Sequence, residues 1–147
     1  MQTIYFYSQN DAYGCFSNFS AHPVVIDGIE YKTTEHYFQA QKFTSPALQK
    51  QVRGAKTPMD AAIMGRSREN PLRKDWENVK DSVMLQAVRT KVQQHPDVRE
   101  NLLGTGDAML VEHTKNDSYW ADGGTGKGRN RLGQILMQVR EECRSEE

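Results

Sequence analysis

The sequence predicts one mostly helical domain with a few short strands, and three observations carry that reading. The first is a hairpin: Pro23-Val24-Val25-Ile26, then Asp27-Gly28, then Ile29-Glu30-Tyr31-Lys32. Asp-Gly accommodates the positive φ angles of a type I′ turn. The second is a pair of cap-then-proline helix starts, Ser45-Pro46 and Thr57-Pro58. Their runs, Ala47 to Arg53 and Met59 to Met64, are expected to stop at Gly54 and Gly65. The third is an apolar stripe of Trp76, Val79, Val83, Ala87, Val88 and Val92, which predicts a helix from an Asp75 cap to about Gln94.

The other elements follow in order. Ile4 to Tyr7 is β-branched and aromatic and predicts a first strand. A polar loop to Gly14 leads into Cys15-Phe16-Ser17-Asn18-Phe19-Ser20, where Phe16 and Phe19 anchor the chain and leave Ser17 and Asn18 to face a cleft. Ser-Asn alone equally makes turns. Arg66, Arg68, Arg73 and Lys74 form a basic cluster. Such clusters are mostly solvated surface, yet guanidinium forks here would suit a phosphate. His95-Pro96 ends the long helix, and a short helix reaches Leu103. Gly104 and Gly106 make a turn, and Met109 to Val111 predicts a strand. Residues 114–130 carry four glycines within six residues, Gly123, Gly124, Gly126 and Gly128, which let backbone approach a ligand. A last helix, about Arg131 to Arg144, has the stripe Leu132, Ile135, Leu136 and Val139. Its first N–H groups are expected to form an anion site.

Bulk properties bound the function. The 147 residues suffice for one domain, 1–147, with a real core. Lys plus Arg is 19 and Asp plus Glu is 19, so the net charge is zero. That argues against a protein that coats nucleic acid. No apolar run approaches the roughly 18 residues of a membrane span. The N-terminus lacks a signal-peptide pattern, and Cys15 and Cys143 read as free thiols. A cytoplasmic location is expected.

The chain is organised around Thr33-Thr34-Glu35-His36-Tyr37-Phe38-Gln39-Ala40-Gln41-Lys42-Phe43. A Thr cap predicts a helix here, with Glu35 in its first turn. On that helix Glu35 and Lys42 lie about 20° apart on the face and about 10.5 Å apart along the axis. Their side chains could then close on a ligand from two sides. On pattern alone the simpler reading, an amphipathic helix with solvated Glu35 and Lys42, is favoured.

Other chemistries fit poorly. Gly124-x-Gly126-x-Gly128 lacks the spacing and the strand of a dinucleotide fingerprint. The four histidines are scattered and the two cysteines lack zinc-like spacing, so no metal site and no cofactor are expected. Cys15 has no assigned base. What survives is a carboxylate-and-lysine site: Glu35 and Asp122 as acids, Lys42 as an amine, and Trp120 with the aromatics of 37–43 for stacking. Carboxylates suit cleavage of a C–N glycosidic bond, whose transition state resembles an oxocarbenium ion. A lysine offers an imine with C1 of an opened ribose. That route needs burial to lower the amine pKa, while an ionised Glu35 pushes the other way.

Several of these stretches together resemble the NADAR, or YbiA-like, family. They are Phe6-Tyr7, Phe16 to Phe19, Glu35 to Phe43, Met64-Gly65-Arg66, Leu72 to Trp76, Leu110-Val111-Glu112, Asn116 to Trp120, and Gly126 to Gly133. The resemblance covers almost the whole chain. It implies a helix-rich α+β fold around a small antiparallel sheet, and metal-independent N-glycosidase chemistry. In the YbiA branch the implied substrates are ribosylamino-pyrimidine 5′-phosphates, early riboflavin intermediates, cleaved at C1′–N to release ribose 5-phosphate. In a related branch the substrate is ADP-ribosyl-guanine in nucleic acid. A non-catalytic module binding NAD or ADP-ribose is the third reading. By resemblance Glu35 is the acid/base or stabilising carboxylate and Lys42 the imine former, with Trp120 and Asp122 completing the pocket. Asn18, Arg66 and Asn130 are implied ligand contacts, Arg66 for phosphate, and Tyr37 and Phe38, as aromatic surface beside Glu35, are expected to contact the ligand too. One departure is Ala121, where the family usually has Gly.

Overall fold

The computed structural model describes residues 2–146. In chain order its elements are β1 (Thr3–Phe6), a 3-10 turn (Gly14–Phe16), β2 (Val24–Ile26), β3 (Ile29–Tyr31), α1 (Thr34–Ala40) and α2 (Pro46–Arg53). There follow α3 (Pro58–Arg66), α4 (Trp76–Gln94), α5 (Pro96–Gly104), β4 (Met109–Glu112) and α6 (Arg131–Ser145). The class is α+β. The chain divides into two compact units: one runs up to Ser17 and resumes at Val92, the other is Asn18–Lys91.

In the first unit β1 pairs with β4, Ile4 opposite Leu110 and Phe6 opposite Glu112. The pairing is parallel, so in place of one small antiparallel sheet the described residues form two two-stranded sheets, and only β2–β3 is antiparallel. Parallel neighbours need a long crossover, and here over a hundred residues lie between the two strands. Alternation turns Ile4 and Phe6 inward. They form a core with Leu110, with Val98 and Leu102 of α5, and with Leu132, Ile135, Leu136 and Val139 of α6. Phe16 meets Phe6 edge-on at 5.7 Å. Arg140 is buried too, but its guanidinium donates to Thr105 Oγ1 and the Ala108 carbonyl, both at 2.9 Å. It thereby braces the turn before β4. Among the described residues Cys15 and Cys143 form no disulfide.

In the second unit Asp27 and Gly28 take φ of 54° and 78°, and β2 and β3 pair antiparallel around them. Ser45 and Thr57 cap α2 and α3 by accepting the N–H groups of Leu48 and Asp60. Val24, Ile26, Tyr31, Tyr37, Ala40, Phe43, Val52, Ala61 and Ala87 share one core. Two helix ends depart from expectation. α3 passes through Gly65 to Arg66, because Gly65 serves close packing rather than termination. α1 stops at Ala40, and Lys42 and Phe43 continue in tight turns with their N–H groups on the Gln39 and Ala40 carbonyls.

Candidate active site

Every residue of α1 is buried, including Glu35 (7% exposed), His36 (0%) and Gln39 (3%). The reading of a solvated amphipathic helix is therefore wrong. Acidic and amide side chains rarely go inside unless they are paired or used. Local hydrogen bonds place them. Thr33 Oγ1 accepts the His36 N–H at 3.1 Å and lies 2.8 Å from His36 Nδ1, while Nε2 lies 3.0 Å from the Ala55 carbonyl. A carbonyl only accepts, so Nε2 carries the proton and Nδ1 accepts from the Thr33 hydroxyl. Asn18 sits at the helix start: its carbonyl accepts the Glu35 N–H at 3.1 Å, and its Oδ1 accepts from Thr34 Oγ1 at 2.8 Å. Gln39 Nε2 donates to Glu35 Oε2 at 2.8 Å.

Lys42 follows on the turn beyond the helix. Its Nζ lies 5.7 Å from the Phe38 ring centre and 6.0 Å from that of Trp76, and the two rings meet edge-on at 5.1 Å. Burial against this apolar wall pulls the amine down from its ordinary 10.5 to about 8. Glu35 pulls it up, and Arg68 and Arg66 push it further down. Of the two opposed influences weighed from the sequence, burial wins. The Lys42 backbone is held from downstream. Arg73 donates its N–H to the Lys42 carbonyl at 2.9 Å and its Nη1 to the Gln41 carbonyl at 3.3 Å, while Asp75 takes Nε at 2.6 Å and Nη2 at 3.1 Å.

Arg66 ends α3, exposed, and its guanidinium makes no hydrogen bond or ion pair among the described residues. Arg68 instead donates to the Gly65 and Arg66 carbonyls. Asn18, Glu35, Phe38, Lys42 and Arg66 thus belong to the second unit. Tyr37 does too but points elsewhere. It lies about 160° around the helix from Glu35, in the hydrophobic core, with its ring edge-on to Tyr31 at 5.1 Å. Trp76 and Gln39 were missed as site residues, because one completes an apolar stripe and the other reads as a neutral helix former. A clue to Trp76 was its position, the first of a helix directly after the basic cluster. A cleft of ≈ 230 Å³ lined by Leu48, Val52, Ile63 and Met64 contains none of the candidate residues.

Trp120, Asp122 and Asn130 belong to the first unit. Asp117 Oδ1 accepts the N–H groups of Tyr119 and Trp120, both at 2.8 Å, and sets the half-buried Trp120 edge-on to Tyr119 at 4.8 Å. Asp122 is 3% exposed. Its Oδ1 accepts from Gly124 N at 2.8 Å and Thr114 N at 3.2 Å, and its Oδ2 pairs with His113 Nδ1 at 2.7 Å. Burial acts to raise its pKa, but the bonds from His113, Gly124 and Thr114 outweigh that and hold the carboxyl below its usual range. Asn130 has φ of 50°. Its Nδ2 donates to the Leu110 carbonyl at 2.9 Å and its Oδ1 accepts the Glu112 N–H at 3.0 Å. Both ends of the amide therefore tie the start of α6 to β4. The anion site expected at that helix start is absent: the N–H groups of Asn130, Arg131 and Leu132 already donate to Ala121, Tyr119 and Trp120. Ala121 is fully buried.

Comparison with known proteins gives this geometry a setting. The profile of the NADAR domain matches residues 5–144. The N-glycosidase YbiA of Escherichia coli is 55% identical over 139 residues, 95% of this chain and 87% of that protein. A riboflavin biosynthesis protein of Vibrio vulnificus is 41% identical over 141 residues, 96% of this chain and 38% of that protein. The NMR structure of E. coli YbiA is similar with a TM-score of 0.91 and 54% identity, over 99% of this chain and 88% of that one. A profile match over nearly the whole length, a relative this similar and a fold this close lead to one conclusion: the chain belongs to the NADAR domain family.

Proposed function

We propose that this protein hydrolyses the C1′–N bond of ribosylamino-pyrimidine 5′-phosphates and releases ribose 5-phosphate, without a metal. Its enzyme class, a hydrolase of N-glycosyl bonds, rests on relatives more than half identical that carry the name N-glycosidase. The choice of substrate is supported by the riboflavin biosynthesis protein that contains a similar stretch. The observation that carries the reading is α1 itself. A helix of seven residues buries a carboxylate, and a half-buried lysine follows on the next turn.

In this reading Glu35 stabilises the cationic sugar as the C1′–N bond breaks and takes a proton from the attacking water, a role for which it must be ionised. The leaving amine carries away the bonding pair and gains a proton. Arg66, whose guanidinium makes no hydrogen bond or ion pair among the described residues, holds the 5′-phosphate, and Asn18 and Phe38 line the sugar and ring. Asp122, with its oxygens occupied, serves as anchor of the loop that carries Trp120 rather than as an acid or base. Asn130 is likewise a brace.

A second reading is favoured by Lys42. An amine with a pKa of about 8 is about one-tenth neutral at pH 7, enough to attack C1′ of an ADP-ribosyl-guanine. The C1′–N bond breaks, guanine leaves with the bonding pair, and the amine's two protons go to the leaving nitrogen and the opened ring oxygen, leaving an imine that water then hydrolyses. A module that only binds ADP-ribose has no use for such an amine. The test is reducing-sugar release from both substrates, with chelator present, by the wild type, Glu35→Ala and Lys42→Ala. Cleavage of the pyrimidine substrate, lost in Glu35→Ala, supports the first reading. Cleavage of the modified oligonucleotide, with a borohydride-trapped adduct absent from Lys42→Ala, supports the second. Binding of ADP-ribose without cleavage of either sinks the enzyme.

A further inference from the structure

We infer that Gln39 and Gly65 are a positioning pair for Glu35: Gln39 holds the carboxylate, and Gly65 makes the room that lets it. The inference rests on the role just given to Glu35. The amide Nε2 of Gln39 donates to Glu35 Oε2 at 2.8 Å, one helical turn away and out of solvent. Its other end is anomalous. Oε1 is buried and accepts no hydrogen bond among the described residues. A buried acceptor left unmet is destabilising, so stability alone gives no reason for an amide here.

Gly65 explains the amide's position. A Cβ on residue 65 would overlap Gln39 Oε1 and lie 2.7 Å from its Cδ and 3.0 Å from its Cβ. Gly65 is buried inside α3, where glycine weakens a helix relative to alanine. Both positions therefore carry a residue that is locally unfavourable, and the two meet at one amide whose remaining contact is Glu35. The amide fixes which way the carboxylate faces, and a donor on that oxygen favours the carboxylate over the carboxylic acid. The charged groups near Glu35 include Lys42 on the turn after α1 and, around Lys42, Arg66 and Arg68. Substitutions at 39 and 65 leave all three in place.

The experiment measures kcat and KM against pH on a ribosylamino-pyrimidine 5′-phosphate for Gln39→Leu, Gln39→Glu, Gly65→Ala, Gln39→Ala and Gln39→Ala/Gly65→Ala, with Glu35→Gln alongside. Circular dichroism checks folding. Gln39→Leu is expected to lower kcat about tenfold or more with KM changed less than about threefold, as for a group acting only in the transition state. Gln39→Glu sets two carboxyls against each other, so the acid limb of kcat should move up by about one pH unit or more. Gly65→Ala should lower kcat in the wild type but add little to Gln39→Ala, since it acts through the same amide. A packing role alone would lower the melting temperature and leave the acid limb where it was. Folded Gln39→Leu and Gln39→Glu with wild-type kcat and acid limb overturn the inference while Glu35→Gln remains dead. If Gly65→Ala fails to fold, the two Gln39 variants decide. Full turnover by Glu35→Gln overturns the role of Glu35 and this inference with it.

Discussion

An amine that titrates near pH 8 changes state within the range where enzymes are assayed. If Lys42 forms an imine, only its neutral form attacks, so borohydride trapping should rise about tenfold per pH unit below 8 and level off above. A flat profile across pH 6–9 would remove the amine from the chemistry. The same shift bears on stability. The folded pKa, about 8, lies below the ordinary 10.5, so between those values the unfolded chain holds the proton more often. Stability from this group is complete above 10.5 and is lost as pH falls through about 8. Lys42→Met should abolish that dependence in denaturant titrations at several pH values. For Glu35 the expected loss on change to Gln is about 10²–10⁴ in kcat, read as sugar release. A loss below tenfold would point to Lys42 alone.

At the scale of elements, two contacts invite substitution. A Cβ at Gly133 in the first turn of α6 would overlap the Leu110 carbonyl and the Asn130 amide. Gly133→Ala should therefore destabilise by about 3 kcal/mol, measured by urea unfolding, whereas Gln134→Ala on the exposed face should cost far less. Arg73→Ala frees the turn after α1, so trapping at Lys42 should fall while Lys74→Ala leaves it unchanged. These same contacts mark where sequence reading stops. The hairpin and the caps at Ser45 and Thr57 were legible because each is decided within four residues. The end of α1 was not, because Arg73 reaches the Gln41 carbonyl from 32 residues away. The parallel pairing of β1 with β4 depends on partners more distant still, and the α6 N–H groups are taken by carbonyls of the preceding loop, which no capping pattern reveals. Spacing brought Glu35 and Lys42 forward as a pair. It could not show that Tyr37 turns into the core, that Asn130 spends both ends of its amide on β4, or that Gln39 sits against a glycine.

At the scale of the whole molecule, equal numbers of acidic and basic residues leave no general attraction for polyanions. Unmodified duplex should be bound weakly at about 0.15 M salt and with a shallow salt dependence. A steep one, in a filter-binding series, would favour the nucleic-acid reading. Acid should unfold the chain partly through His36. Burial lowers its pKa below 6.5, so stability from the neutral ring is present above 6.5 and lost as pH falls through the folded value. The ring has a further use. Its Nε2 proton is fixed on the Ala55 carbonyl and sealed from solvent, so it should exchange with water slowly enough to give its own low-field proton resonance. That single line is a label-free indicator of whether α1 is assembled. Followed through a substrate or denaturant titration, it separates a variant that has lost its chemistry from one that has lost its shape.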